Sequence, residues 1–263
     1  MKKLLLIIFF SFTITRISAG NTFCGLRNQA FNAGEHLTMV VFYSVAGLYV
    51  NAGTASFVTT LERMNNKPVY HVVGTGVTNS KYDWIFKVRD RYETYFDTAT
   101  LQPYKFIRNV DEGGYKKYEN LTFNQAANTA ITTEGVYKVP ACIQDVLSAV
   151  YYARNINFNA YEVGAKIPFD LFMDNEVFPM YVRYLGKEVI KTRYGKFKTI
   201  KFKPLLVKGT LFEGGEKMTV WVSDDQNKVP VRIESDIIVG SVKVDMMSYR
   251  NLRHPFTSLI SFR

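Results

Sequence analysis

The sequence predicts a mainly β protein: a single large curved antiparallel sheet, an incomplete barrel, with one principal helix packed on its concave face. Three observations favour this class. Aromatic residues make up 15% of the 263-residue chain, and aromatic and β-branched side chains are enriched in strands. Many short runs of such residues are separated by turn-forming Asn, Asp and Gly. Only one long segment shows a convincing helical period.

The N-terminus has the pattern of a Sec signal peptide, predicted to span residues 1–19. Lys2 and Lys3 precede the apolar run 4–10, and Ala19 offers a small residue for cleavage before Gly20. The alternative is a retained membrane anchor, but the apolar run is short for a span and Arg16 follows it. We therefore expect export, with no transmembrane segment left after cleavage.

The net charge is moderately basic. The formal value is +10; without Lys2, Lys3 and Arg16, 30 of the 33 basic residues remain against 23 acidic ones, which gives +7. These charges are scattered rather than grouped, which favours a solvated basic surface. The alternative is attraction to anionic envelope polymers or lipid headgroups. Nucleic acid is not an expected partner of an exported protein.

Cys24 and Cys142 are the two cysteines of the chain. An even pair in an oxidising compartment predicts a disulfide, which would join the mature N-terminus to the start of the helical segment. Two separately buried thiols are the alternative, although Cys24 lies very close to the terminus.

The strand pattern is continuous along both halves of the chain. Between the first and second strands of the first half, residues 47–53 are predicted as a connection. Residues 80–83 match a capping box and favour a short helix, although Trp84, Phe86 and Val88 also alternate as in a strand. The predicted strands of the first half are 36–46, 54–62, 69–77, 90–97, 104–110, 115–123 and 130–133. Those of the second half are 166–173, 176–185, 188–193, 196–203, 217–223, 229–239 and 241–249.

The principal helix is predicted at residues 142–154. Its apolar residues recur at i, i+3, i+4, i+7 and i+8, which forms one stripe; they are Ile143, Val146, Leu147, Val150 and Tyr151. Because short turns join the strands on both sides, residues 20–250 are expected to form a single antiparallel β domain with this helix at its centre, followed by a C-terminal tail, 251–263.

Several short segments, in this order and spacing, resemble a family of exported bacterial proteins called domain of unknown function 3108. The resemblance extends from about Gly34 to Tyr249. The segments that carry it are Gly34–Glu35, Gly53–Ala55, Gln144–Arg154, Tyr194–Phe197, Trp221–Asp225 and Val229–Ile233.

This resemblance implies export to the periplasm or cell surface of a Gram-negative bacterium and no established activity. The family is also loosely similar to the periplasmic lipoprotein-carrier fold of the LolA/LolB type, in which an incomplete barrel holds helices on its apolar side. The chain departs from that pattern in having one strong helix rather than several. Function inferred from a fold is an association only.

No catalytic chemistry is legible in the sequence. His36, His71 and His254 are far apart, and no zinc, nucleophile-elbow or phosphate-loop motif is present. Residues 224–227 are interpreted as a turn rather than a carboxylate or calcium site. We expect no catalytic residues, no metal, no cofactor and no enzyme activity.

The remaining indication of function is the abundance of aromatic residues. They are either ordinary core of a sheet curved around a helix or the lining of an open apolar groove. The candidate groove residues are Phe42, Tyr43, Trp84, Phe86, Leu147, Tyr151, Tyr152, Phe169, Phe172 and Trp221.

The function predicted first is non-enzymatic binding or carriage of a hydrophobic or lipidic ligand of the cell envelope. The alternative is an envelope interaction module that binds polysaccharide or a partner protein. A hydrolase whose site is not visible in the sequence is the third hypothesis.

Overall fold

The computed structural model describes residues 24–46, 48–208 and 214–262. The predicted signal peptide, 1–19, lies outside these residues. The described residues form fifteen strands in one antiparallel sheet, whose order is β8-β7-β6-β5-β4-β3-β2-β1-β14-β13-β12-β11-β10-β9, with β15 paired to β11. The sheet does not close into a barrel, and the predicted fold class is confirmed.

The first half of the sheet is a meander in which each strand pairs with the next in sequence. Alternating burial along these strands leaves one face toward the core. Its strands are β1 His36–Val45, β2 Leu48–Met64, β3 Lys67–Thr78, β4 Arg89–Asp97, β5 Pro103–Glu112, β6 Tyr115–Asn124, β7 Thr129–Ile131 and β8 Val136–Lys138.

The second half repeats this antiparallel pattern, and the pairing of β14 with β1 joins it to the first. Its strands are β9 Lys166–Met173, β10 Glu176–Lys191, β11 Lys196–Pro204, β12 Met218–Ser223, β13 Pro230–Asp236, β14 Ser241–Arg250 and β15 Leu259–Ser261.

The two ends of the sheet curve toward each other. Asp174, in the turn between β9 and β10, forms ion pairs with Arg108 of β5 and Lys117 of β6. The Gln144 amide donates to Asp170 O at 3.0 Å, and its carbonyl accepts from Phe172 N at 2.9 Å. The segment before the principal helix therefore lies against β9 and helps to bridge the gap between the two ends of the sheet.

Two short α-helices are present in the described part of the chain: α1, Asp83–Phe86, and α2, Val146–Ala153. The short helix predicted near residue 80 is confirmed, with a 3₁₀ turn at Ser80–Tyr82 before α1. Helix α2 begins at a capping box, in which the Asp145 carboxylate accepts from the amides of Leu147 and Ser148, and the Ser148 hydroxyl accepts from Asp145 N.

The predicted bounds of the principal helix, 142–154, were wrong. Cys142 has a φ of 64°, which lies in the left-handed region and is incompatible with the first turn of a right-handed helix. Gln144 then hydrogen bonds to β9. The helix therefore begins four residues later than predicted, at Val146.

Three other boundaries also differ from the prediction. The predicted connection 47–53 is mostly strand, since β2 begins at Leu48. The predicted strands 176–185 and 188–193 form one strand, β10, because Gly186 adopts a φ of 95° at a bulge instead of a turn. The predicted tail contains β15.

The predicted disulfide between Cys24 and Cys142 is confirmed. It holds the first described residues beside the segment that leads into α2. A second tie lies nearby, where Leu26 N donates to the Tyr152 hydroxyl at 3.0 Å. The N-terminal segment is therefore fixed against the helix at two points.

Candidate functional site

Helix α2 has two apolar faces, and they meet different surroundings. Leu147 and Tyr151 belong to the closed core on the side of β2, β3 and β4. The Tyr151 hydroxyl accepts a hydrogen bond from Thr59 at 3.1 Å. The other face carries only small or branched aliphatic side chains at i, i+3, i+4 and i+7: Val146, Ala149, Val150 and Ala153.

A cavity of about 700 Å³ lies between this second face and the curved sheet. Val150 is 40% exposed although it lies among apolar neighbours, because its side chain points into this space. Short side chains on the helix keep the space open, whereas long ones would fill it.

Strands β9 to β13 form the opposite wall of the cavity. Side chains at a spacing of two residues share one face of a strand, and the lining follows this rule on neighbouring strands. The wall residues are Phe169, Leu171, Met173, Met180, Val182, Phe202, Pro204, Met218, Val220, Val222 and Ile233.

Polar groups gather where β5 meets the turn after β9. Arg108 is buried, contacts the carboxylates of Asp174 and Glu119, and lines the cavity. Its Nε has no hydrogen-bond partner. Burial alone would raise the pKa of Asp174, but the hydrogen bond from Lys117 and the charge of Arg108 outweigh burial and hold that pKa below its usual range.

A carboxyl pair, Asp90 and Glu112, lies near this polar end. Glu112 lines the cavity and shares a hydrogen bond with Asp90. Burial, and then the adjacent Glu112 charge, raise the pKa of Asp90 to about 7, while Asp111 N donates to Asp90 Oδ1 at 3.2 Å. The pair therefore holds a proton below neutral pH.

Of the ten candidate groove residues, Phe169 lies on the cavity wall. The other nine lie elsewhere, and none contributes to this lining: Phe42, Tyr43, Trp84, Phe86, Leu147, Tyr151, Tyr152, Phe172 and Trp221. The candidate set is therefore not brought together as one groove.

Most of these nine residues have structural contacts of their own. Leu147, Tyr151, Tyr152 and Phe172 are core residues. The Trp221 indole donates to Glu188 at 2.5 Å.

Two other residues of this set lie near the β1–β2 hairpin. Phe42 stacks on Tyr49 with ring centroids 5.2 Å apart, and the Tyr43 hydroxyl donates to Val239 O at 2.9 Å. Trp84 and Phe86 are exposed.

The sequence reasoning missed the aliphatic and methionine residues that form most of the wall. Their signal was the period-2 apolar face of strands β9 to β12, together with the small side chains of α2. Neither signal involves aromatic residues alone.

A second cavity, of about 450 Å³, lies near the β12–β13 connection and is lined by both apolar and polar residues, the latter including Asp224, Asp225 and Lys228. The Asp225 carboxylate accepts from Ser223 Oγ at 2.8 Å and from Asn227 N at 3.0 Å. These hydrogen bonds lie within the connection, as expected for the turn that was predicted at residues 224–227.

The described ranges contain few groupings of metal-binding side chain types. No group of three His, Cys, Asp or Glu side chains converges there in a way that could hold a metal ion. His71 instead bonds through Nδ1 to Glu62 at 2.6 Å and through Nε2 to Glu93 at 2.8 Å. Neither α1 nor α2 has the length and hydropathy needed to cross a membrane.

The family model described as "Protein of unknown function (DUF3108)" matches residues 38–247. This range agrees with the resemblance drawn from the sequence between residues 34 and 249. No curated protein matches the chain.

A solved structure shares the architecture at low sequence identity. A beta-barrel-like protein of the domain of unknown function DUF1849 from Brucella abortus is 9% identical, with a TM-score of 0.55 over 84% of this chain and 99% of that one. This likeness supports the fold alone.

Two further structures are more distant. A protein from Parabacteroides distasonis, provisionally described as a lipoprotein, is 14% identical, with a TM-score of 0.38 over 85% of this chain and 100% of that one. A protein from Bacteroides fragilis, provisionally described as exported and with a YmcC-like fold, is 14% identical, with a TM-score of 0.34 over 86% and 100%.

Proposed function

Given that the chain belongs to the family described as protein of unknown function DUF3108, we propose that it is an exported, non-enzymatic protein that binds a hydrophobic or lipidic ligand of the cell envelope. The apolar cavity between α2 and strands β9 to β13 is the observation that carries this proposal.

The size and lining of the cavity support binding of a small apolar molecule. Ligand sites in proteins commonly measure about 300–1,000 Å³ and combine apolar walls with a few polar groups. The cavity, at about 700 Å³, falls within this range; Arg108, Glu112 and Asp174 form a polar group at one end of it, and Arg154 lies at the end of α2. An apolar chain in the interior, with its polar end near these groups, would match this distribution.

The energetics of the fold also favour an occupant. Apolar cavities that remain empty are destabilising, because their lining atoms lose packing contacts. Here four short side chains of α2 leave the space unfilled. A ligand that fills the space would restore those contacts.

Export to the periplasm or cell surface of a Gram-negative bacterium is part of the proposal. Its basis is the signal-like N-terminus together with the disulfide between Cys24 and Cys142. Disulfides persist in oxidising compartments and are rare in the cytosol.

The test uses the oxidised protein, purified gently and analysed by native mass spectrometry for a bound small molecule. In parallel, a fluorescent fatty-acid probe, 11-(dansylamino)undecanoic acid, is titrated and then displaced by hexadecanol. We expect Val150→Trp, which fills the cavity from α2, to weaken probe binding at least tenfold. Val163→Trp places the same residue at an exposed site outside the cavity and is expected to leave binding unchanged.

The proposal fails if the folded protein carries no ligand and does not bind the probe. It also fails if both tryptophan variants bind the probe as tightly as the wild type, because the probe would then sit elsewhere.

A hydrolase is a second candidate, and the carboxyl pair Asp90–Glu112 is the observation that favours it. A protonated carboxyl group next to an apolar cavity has the properties of a general acid near neutral pH. Hydrolysis of a chromogenic acyl ester that is lost in Asp90→Asn and Glu112→Gln would support this function over simple binding.

A further inference from the structure

The strand connections at one end of the sheet are apolar. Antiparallel pairing places the β1–β2 and β13–β14 connections side by side, since Ser44 pairs with both Tyr49 and Ser241. The β3–β4 connection lies at the same end, because Asn79 N donates to Ala52 O at 2.7 Å.

The β5–β6 hairpin tip joins this group. Gly113 N donates to Lys87 O at 2.8 Å, and the Phe86 ring lies directly against Gly113. Four connections from separate parts of the chain thus form one edge, which we call the apolar rim. Its exposed apolar residues are Leu48, Tyr49, Trp84, Ile85, Phe86, Tyr115, Ile238 and Val239.

The apolar side chains of the rim are strongly exposed. Trp84 is 83% exposed, Val239 62% and Ile85 55%. Scattered single apolar residues are ordinary on protein surfaces, whereas a group of large ones marks an interaction site.

The opposite end of the sheet differs in composition. Its hairpin connections are polar, as at Asn65–Asn66 and Asp224–Asn227. Within the described ranges, none of the exposed large apolar side chains lies in the connections 65–66, 98–102, 125–128, 192–195 or 224–229. Exposed apolar residues do occur near that end, among them Leu61, Ile260 and Phe262, but they lie on strands or in the C-terminal segment and not in these connections.

The cavity reaches the surface at the apolar end. Tyr115 belongs both to the rim and to the cavity lining. Glu112 at the end of β5, Asp174 at the β9–β10 turn and Lys208 after β11 also line the cavity and lie at this end of their strands. A molecule leaving the cavity here would pass beside the rim.

The charged side chains near the rim are of both signs; several of them are paired, and Asp236 beside Ile238 is exposed. Asp83 accepts from Arg89 at 2.6 Å, and Asp111 lies 3.3 Å from Lys87. Lys116 lies 4.0 Å from the same Asp111 carboxylate and is largely exposed, as is Lys81. Apolar tips with lysines beside them are typical of segments that sit in a membrane interface, where aromatic rings enter the headgroup region and lysines remain at its surface.

We propose that the apolar rim docks on a phospholipid bilayer, with the mouth of the cavity facing the lipid. The rim is built from the connections of four strand pairs, an arrangement that suits a deformable lipid surface better than a complementary protein surface. The positively charged lysines beside the rim would attract anionic lipid headgroups. This inference rests on the rim and does not require that the cavity be occupied.

The test is flotation of the oxidised protein with vesicles of phosphatidylethanolamine and phosphatidylglycerol at 3:1. We expect the protein to float and to remain bound in 0.5 M NaCl, because apolar insertion rather than charge carries the contact. The emission of Trp84 should shift to shorter wavelength and be quenched by lipids brominated near the headgroup. Trp221, which is buried, supplies a constant background.

The matched variants are Ile85→Asp combined with Val239→Asp at the rim, and Val163→Asp at an exposed apolar residue outside it. The rim variant should lower vesicle binding at least tenfold, and Val163→Asp should leave it unchanged. Thermal melting verifies that all three proteins are folded.

Absence of flotation by the folded wild type overturns the proposal, as does an equal loss of binding in Val163→Asp. If the rim instead mediates self-association, the rim variant will abolish a dimer seen in analytical ultracentrifugation while no protein floats, which also overturns it. Probe binding to the cavity is measured separately, so failure of docking is distinguishable from failure of the proposed ligand binding.

Discussion

Arg154 holds Glu35 with two hydrogen bonds, of 2.5 and 2.8 Å, and both side chains are almost entirely buried. Arg154 also donates through Nε to Asn227 O at 3.1 Å. Because Glu35 immediately precedes β1 and Asn227 lies between β12 and β13, this one guanidinium joins the end of α2 to both halves of the sheet.

Glu35→Gln should therefore destabilise the fold by about 3–5 kcal/mol, since removal of one partner leaves a buried charge uncompensated. Urea unfolding followed by circular dichroism measures this loss. Replacement of both partners, as Glu35→Gln with Arg154→Met, should restore part of the stability.

The control is Lys87→Gln, which breaks an exposed ion pair with Asp111 and should change the free energy of unfolding by less than about 1 kcal/mol. A loss at Glu35 no larger than that at Lys87 would mean that the buried pair does not hold the two halves together.

The architecture could be predicted from sequence because strand periodicity and turn residues are local signals. The helix boundary could not, because it depends on distant parts of the chain. The apolar period runs through Ile143 without interruption, yet Gln144 is drawn into pairing with β9 and Cys142 takes a left-handed conformation beside its disulfide. The capping box of Asp145 and Ser148 was the local signal that marked the true start.

The cavity could not be predicted either, for a related reason. The sequence shows one wide apolar stripe on α2, and only the curvature of the sheet determines that Leu147 meets packed neighbours while Val150 meets open space. A cavity forms between two facing surfaces. Val150 therefore cannot be identified as a cavity residue until the residues opposite it are known.

The stability of the protein should depend on pH through Asp145. Burial raises the pKa of this carboxyl to about 6, against about 3.9 in unfolded chains. The folded state thus binds more protons between these values, and stability falls as the pH rises from about 4 to 6. We expect the free energy of unfolding of wild type, relative to Asp145→Asn, to decrease across this interval.

Chemical unfolding at pH 4, 5, 6 and 7 measures this difference, and Asn retains the oxygen that caps α2. A difference between the two proteins that does not vary with pH would show that Asp145 does not titrate in this interval.

Reduction of the disulfide should destabilise the protein substantially. The bond joins residues 118 positions apart. Because it restricts the conformations of the unfolded chain, closure of so long a loop stabilises the folded state by at most about 4–5 kcal/mol. We expect Cys24→Ser with Cys142→Ser to lower the melting temperature to the value that wild type shows in dithiothreitol. Unequal values would indicate that the serine side chains themselves disturb the site.

The two faces of α2 should respond differently to truncation, which tests the geometry on which the cavity depends. Leu147 is 4% exposed within the closed core, so Leu147→Ala should cost about 2–5 kcal/mol through lost burial and a new void. Val150 already borders open space, so Val150→Ala removes few contacts and should cost less than about 1 kcal/mol. Urea unfolding of both variants under the same conditions measures the two values.

Because Val and Leu differ by only one methylene, about 0.8 kcal/mol of burial, a difference well above this amount must come from the packing around each side chain. Equal costs would mean that Val150 is as tightly packed as Leu147 and that the space beside it is closed in solution.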